Sequence, residues 1–200
     1  MTTVASPPST PPAPPAPPPV AAPRVLEHPR PGPSETGVWI AIAAISMTFA
    51  ALTSAMVVRG SAAPDWRHFR LPPILYFNTV VLLASSAVLE AGRRRIAAHL
   101  VRATLGLGLL FVAGQVVAWR QLAAQGLFLA TSASSAFFYV LTALHGLHVL
   151  GGLGGLGYVL RRLGRLAGPA PVTALGAATL YWHFMDGLWL YLLALLALRV

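Results

Sequence analysis

From residue 37 onward the chain alternates long apolar runs with short separators that carry arginine. The apolar runs cover residues 37–58, 72–91, 96–118, 132–160 and 172–198. Each is long enough to cross a hydrocarbon core of about 30 Å, which takes roughly twenty helical residues. Helices are the economical choice there, because backbone groups in lipid must find partners within their own segment. The separators fit this reading: "RGSAAPDWRHFRLPP", "GRRR", "WRQLAAQGLFLAT" and "RRLGRLAGPAP" divide the runs in order. Pro72 and Pro73 open the second run, where a missing N–H costs little. The pattern predicts an all-α, polytopic membrane protein with five transmembrane helices in a bundle.

The segment before the first run is of another kind. Thirteen of the eighteen prolines lie in the first thirty-four residues, with no apolar core segment of a signal peptide. Such a stretch favours polyproline II and has nothing to bury. Residues 1–36 are therefore expected to form a disordered cytoplasmic tail, and 37–200 the membrane domain.

Charge then sets the orientation. With five spans, one side receives Arg24, Arg30, Arg93, Arg94, Arg95, Arg102, Arg161, Arg162 and Arg165, and the other Arg59, Arg67, Arg70, Arg120 and Arg199. The excess places the N-terminus in the cytoplasm and the C-terminus outside. Trp66 and Trp119 fall on the outer side as interfacial anchors.

Composition supports the membrane class: 56% of residues are hydrophobic, only 10% are charged, and mean hydropathy is +0.68. Soluble chains carry about a quarter charged residues. All fourteen cationic residues are arginine, and they cluster between spans instead of forming a basic face, so no nucleic-acid partner is implied. There is no cysteine, which excludes disulfides and thiolate metal sites.

Polar groups within spans are functional candidates by default. His145 and His148 lie roughly 20 Å in from the outer end of the fourth run, and His183 and Asp186 roughly 17–21 Å from the inner end of the fifth. Each pair has i, i+3 spacing and shares a helical face. The simplest arrangement brings these faces together, with the carboxylate accepting from an imidazole on the fourth helix. A haem or metal site is one reading, since His is the commonest ligand, although a diiron or zinc site would want more carboxylates or a tighter ligand set than this chain offers at that depth. A proton relay and interhelical hydrogen bonding both fit, and the second asks for less. Glu90 and Arg94 are spaced for a helical ion pair, and Asn78 and Gln115 are placed to bridge to neighbouring helices. In "HGLHVLGGLGGLG", Gly146, Gly151, Gly152, Gly154, Gly155 and Gly157 leave a smooth surface for a helix or a lipid tail.

Taken together, "LPPILYFNTVVLLASS", "GQVVAWRQLAAQG", "HGLHVLGG" and "YWHFMDGLWLYLL" resemble subunit III of the haem–copper oxidases, the cytochrome c and quinol oxidases. The resemblance covers residues 37–198 and implies the short, five-helix type. It implies a subunit with no catalytic centre and no bound haem or copper, those cofactors residing in partner subunits. It further implies packing against subunit I, association with subunit II in the complex, structural phospholipid, support of proton uptake and active-site stability, and a bacterial plasma membrane location. By position it carries over His145, His148, Trp182, His183 and Asp186, with Asn78 and Thr79 matching the family's "NT" pair. One departure is Met47, at a position where many relatives carry an acidic residue after a serine. Two other readings keep some of these features. One is an accessory protein of a nitric oxide reductase; the other is a stand-alone transporter, for which broken helices or an internal repeat are wanting.

Overall fold

The computed structural model describes residues 33–62, 66, 69–163 and 169–199. Residues 1–32 of the Pro-rich segment, and the reading of them as a disordered tail, lie outside these residues; residues 33–36, expected to belong to that tail, form the first turn of the first helix. Five helices make up the described chain: α1 (Pro33–Ala62), α2 (Ile74–Arg95), α3 (Ala98–Ala124), α4 (Ala133–Leu163) and α5 (Pro169–Arg199). All five are long and apolar enough to cross a membrane. The helices outrun the apolar blocks at most ends. At 31 residues, α4 and α5 are each about 46 Å long, more than the hydrocarbon core requires. The surplus turns take in charged residues such as Arg161 and Arg162, which helical backbone accommodates readily outside the core.

Local sequence explains where the helices stop. Between α2 and α3 only Ile96 and Ala97 intervene. Ala97 N–H reaches the Gly92 carbonyl at 3.0 Å and Ile96 N–H the Arg93 carbonyl at 3.4 Å, a Schellman closure. It forces Ile96 to a left-handed φ of 50°, unusual for a β-branched residue. The same closure ends α3 with a residue suited to it. Gly126 has φ +80°, and Leu127 N–H bonds the Leu122 carbonyl at 3.1 Å. At the start of α4, Ser132 Oγ accepts from Ser135 N–H at 3.2 Å while Ser135 Oγ accepts from Ser132 N–H at 3.1 Å. This is a reciprocal capping box with serine in the glutamate place.

The bundle is organised around α5, which packs on α1, α2 and α4; α3 joins α2 to α4. Its interior mixes large rings with polar side chains. Phe49, Phe111, Phe138, Trp182 and Trp189 are buried, and so are Asn78, Ser85, Ser86, Thr104, Gln115, Thr142, His145 and Asp186. Outward-facing positions are instead apolar, among them Ile40, Met47, Val58, Val80, Leu109, Leu147 and Leu198. That distribution suits a lipid solvent, where apolar side chains gain nothing by hiding and polar ones must find partners.

Small residues set the closest approaches. A methyl group on Gly152 would come 3.0 Å from the Tyr181 ring, and one on Gly114 would overlap the Asn78 amide. The other glycines of the α4 run behave differently: Gly151 meets only the Tyr181 hydroxyl, at 4.0 Å, and Gly146, Gly154, Gly155 and Gly157 have nothing within 4 Å of an added Cβ. The run is thus part helix contact and part open surface.

Candidate functional site

Two indoles pin α5 to α2. Trp182 Nε1 donates to Ser85 Oγ at 2.9 Å, and two turns further on Trp189 Nε1 donates to Thr79 Oγ1 at 3.0 Å. Both acceptors pass their own protons to backbone carbonyls in the preceding turn, Ser85 to Leu82 and Thr79 to Leu75. Each hydroxyl is therefore used in both directions, the condition under which a buried polar group holds a packing arrangement in place.

His183 sits beside this seam. Its Nδ1 lies 2.8 Å from Ser86 Oγ and its Nε2 lies 3.8 Å from Glu90 Oε2. With the proton on Nε2, facing the carboxylate, Nδ1 accepts from the serine. Glu90 in turn accepts from Arg93 Nε at 2.8 Å, Arg93 Nη2 at 2.7 Å and Arg94 Nε at 2.7 Å. The Glu90–Arg94 pair expected from spacing is formed, and Arg93 joins it. Together these groups make a polar line from the arginine cluster at the end of α2 to the imidazole on α5.

His183 thus has its partners on α2, not on α4 as its spacing suggested. The reason is rotational. Three residues correspond to about 60° around a helix. That turn leaves the His183 side chain 42% exposed at the rim while Asp186 is buried at 5% exposure. Neither Asp186 carboxylate oxygen makes a hydrogen bond of full geometry among the described residues, although the Ser86 hydroxyl that meets His183 also bears on it.

The α4 histidines divide in the same way. His148 Nδ1 lies 2.7 Å from the Leu144 carbonyl, so that nitrogen carries the proton. The His148 carbonyl accepts from Tyr181 OH at 3.0 Å, a direct α4–α5 tie. His145 is fully buried against rings: Trp189 at 5.1 Å and Phe111 at 6.0 Å between centroids. Neither of its nitrogens has a hydrogen-bond partner among the described residues. The same holds for the amides of Asn78 and Gln115, so the bridges expected of them are not formed; Asn78 instead packs against Gly114.

Three contributors had not been singled out from the sequence for these roles: Ser85, Ser86 and Trp189. The signal for them was present. A Ser-Ser pair in the middle of an apolar run, and two tryptophans seven residues apart on one helix, are what a two-point interhelical pin requires. Among the described residues no three His, Asp or Glu side chains come together as a metal-holding group.

These features define a class: a five-span helical membrane protein in which Trp182, Trp189 and Tyr181 tie α5 to its neighbours, while Asn78, Gln115, His145 and Asp186 are buried without hydrogen bonds among the described residues. Comparison with known proteins makes the class specific. Residues 39–198 match the family described as "Cytochrome c oxidase subunit III". "Cytochrome c oxidase subunit 3" of Synechocystis is 32% identical over 184 residues, covering 86% of this chain and 78% of the relative. "Probable cytochrome c oxidase subunit 3" of Mycobacterium tuberculosis is 33% identical over 179 residues, covering 82% and 86%. "Cytochrome c oxidase subunit 3" of Corynebacterium diphtheriae is 30% identical over 187 residues, covering 86% and 91%. The chain belongs to the cytochrome c oxidase subunit III family, and as such is one component of an oxidase complex.

Proposed function

We propose that the chain is an accessory, non-redox subunit of a respiratory haem–copper terminal oxidase. It packs against the catalytic subunit I, with haem and copper held by partner subunits, and it retains structural phospholipid. Through these contacts it sustains proton uptake and the lifetime of the neighbouring active site during oxygen reduction. The observation that carries this reading is the family match over residues 39–198, which reaches all five spans.

The geometry supports a supporting role in two ways. His145, His148, His183 and Asp186 lie on helices whose attachment depends on Trp182, Trp189 and Tyr181, so the polar residues belong to a packed frame. The His183–Glu90–Arg93 line, half-exposed at one flank, presents an imidazole beside an arginine-held carboxylate, a polar flank suited to contact with a partner subunit. In this reading the chain sits in a bacterial plasma membrane with its N-terminus and the ends of α2 and α4 toward the cytoplasm, an orientation that the excess of arginine on that side supports.

Deleting the chain tests the reading. An oxidase assembled without it should begin turnover at a normal rate, then lose activity irreversibly over successive cycles, with slower proton uptake. An oxidase whose lifetime and proton uptake are unchanged by the deletion would refute the role.

A further inference from the structure

One imidazole of the bundle faces outward at a depth where lipid offers it no partner. The His183 side chain is 42% exposed. Its depth follows from its contact on α2, where Ser86 Oγ lies 2.8 Å from His183 Nδ1. Ser86 is twelve residues from the first residue of α2 and nine from its last, about 18 Å and about 13 Å along the axis. With 22 residues α2 is about 33 Å long, little more than the hydrocarbon it crosses, so His183 stands near the middle of the membrane.

Only one nitrogen of the ring is bonded within the chain. Nδ1 accepts from Ser86, which leaves the proton on Nε2. The Glu90 carboxylate, 3.8 Å from Nε2, is beyond hydrogen-bond reach, and no other acceptor meets that nitrogen among the described residues. A donor left open at that depth is costly, because hydrocarbon supplies no acceptor and a headgroup lies too far away. We propose that this flank of α2 and α5 seats a transmembrane helix of a partner subunit, which sets a neutral side-chain oxygen, amide or hydroxyl, against His183 Nε2.

The surface around the imidazole suits such a helix. Gly187, one turn along α5, is exposed, and a Cβ added there meets nothing within 4 Å, so the backbone lies open beside the ring. Leu190, a turn further, and Leu83, one turn before Ser86 on α2, stand nearby at 43% and 45% exposure. A small residue next to larger ones lets another backbone approach closely, the usual form of helix contact in lipid.

Charge narrows the partner. Arg93 and Arg94 hold Glu90 at 2.7 Å each and keep its carboxylate beside Nε2. A carboxylate on the arriving helix would meet it as a like charge, whereas an amide or hydroxyl would not. A second copy of this chain fits less well: about a two-fold axis it would turn Nε2 donor toward Nε2 donor and Glu90 toward Glu90. This inference rests on the chain's being one component of an oxidase and assigns the flank that meets a neighbour.

The test uses the intact complex, purified in mild detergent through a tag on this chain. The chain has no cysteine of its own, so in Leu190→Cys a benzophenone maleimide marks that position alone on it. Irradiation in native membranes should join residue 190 to a transmembrane peptide of a companion subunit, identified by mass spectrometry. Gly187→Leu fills the open backbone without touching the bundle, and it should lower the companion retained per chain by about tenfold. His183→Phe keeps a ring and removes the donor; it should lower retention about threefold, the effect of one hydrogen bond between membrane helices.

Crosslinks to lipid alone, or to a second copy of this chain, would overturn the proposal. Full retention of the companion by both Gly187→Leu and His183→Phe would overturn it too. In each case a wild-type chain that still brings a haem-bearing companion leaves the subunit reading standing, whereas a wild-type chain recovered alone removes both.

Discussion

Gly108 marks a close junction of three helices and gives a quantitative test of it. A Cβ added there would lie 2.7 Å from Leu153 Cδ2 on α4 and 2.7 Å from Trp182 Cη2 on α5. Real Cβ contacts of that length essentially do not occur, so the Leu153 side chain must rotate away and the Trp182 ring, the stiffer neighbour, must shift. Overpacking of this kind costs about 1–3 kcal/mol. Alanine also returns about 0.5–1 kcal/mol of helix propensity over glycine, which must be separated from the clash. Gly106 supplies the control: it is on the same helix, two residues away, and an added Cβ there meets nothing within 4 Å. Gly106→Ala should therefore be neutral or slightly stabilising. Gly108→Ala should fall below it by about 1–3 kcal/mol in equilibrium unfolding in mixed micelles, followed by tryptophan fluorescence. Combining Gly108→Ala with Leu153→Ala relieves one of the two clashes, so the pair should couple favourably by about 1 kcal/mol in a double-mutant cycle. Equal stability of Gly106→Ala and Gly108→Ala would mean that α3, α4 and α5 do not meet as described.

Three further predictions follow from local structure and use the same unfolding assay. Ile96→Gly should stabilise the chain by about 1 kcal/mol, because the left-handed backbone suits glycine and the side chain is 54% exposed. Ser132→Ala removes one half of the capping box at the start of α4 and should cost about 1 kcal/mol. Trp189→Phe deletes the donor to Thr79; in a cycle with Thr79→Val it should show a coupling of about 0.6 kcal/mol, the usual size for hydrogen bonds between membrane helices.

The spans were legible because length and apolarity are properties of contiguous sequence. Their ends were less so: α3 runs on to Ala124, past the expected limit at 118, since Arg120 and Gln121 are tolerated by a helix once it leaves the hydrocarbon. The Glu90–Arg94 pair was legible because it is local. The partners of His183 were not. An i, i+3 spacing says which residues share a face but not which helix that face meets, and the rotation separating His183 from Asp186 decides the matter. Likewise Gly152 and Gly114 accept neighbouring side chains while Gly146 and Gly154 do not, although all four are equally plain as letters. Met47 shows another limit. The resemblance drew attention to it as a replaced acid, and the structure places it outward, 74% exposed on α1, away from the polar seam.

The most direct test of an accessory role is purification through a tag on this chain in mild detergent, with a reduced-minus-oxidised spectrum and a subunit inventory of the product. Haem bands in fixed proportion to the chain, carried by a separate co-purifying subunit, are the expected result. A stable chain recovered without any haem-bearing companion, or haem bound to the chain itself, would contradict it.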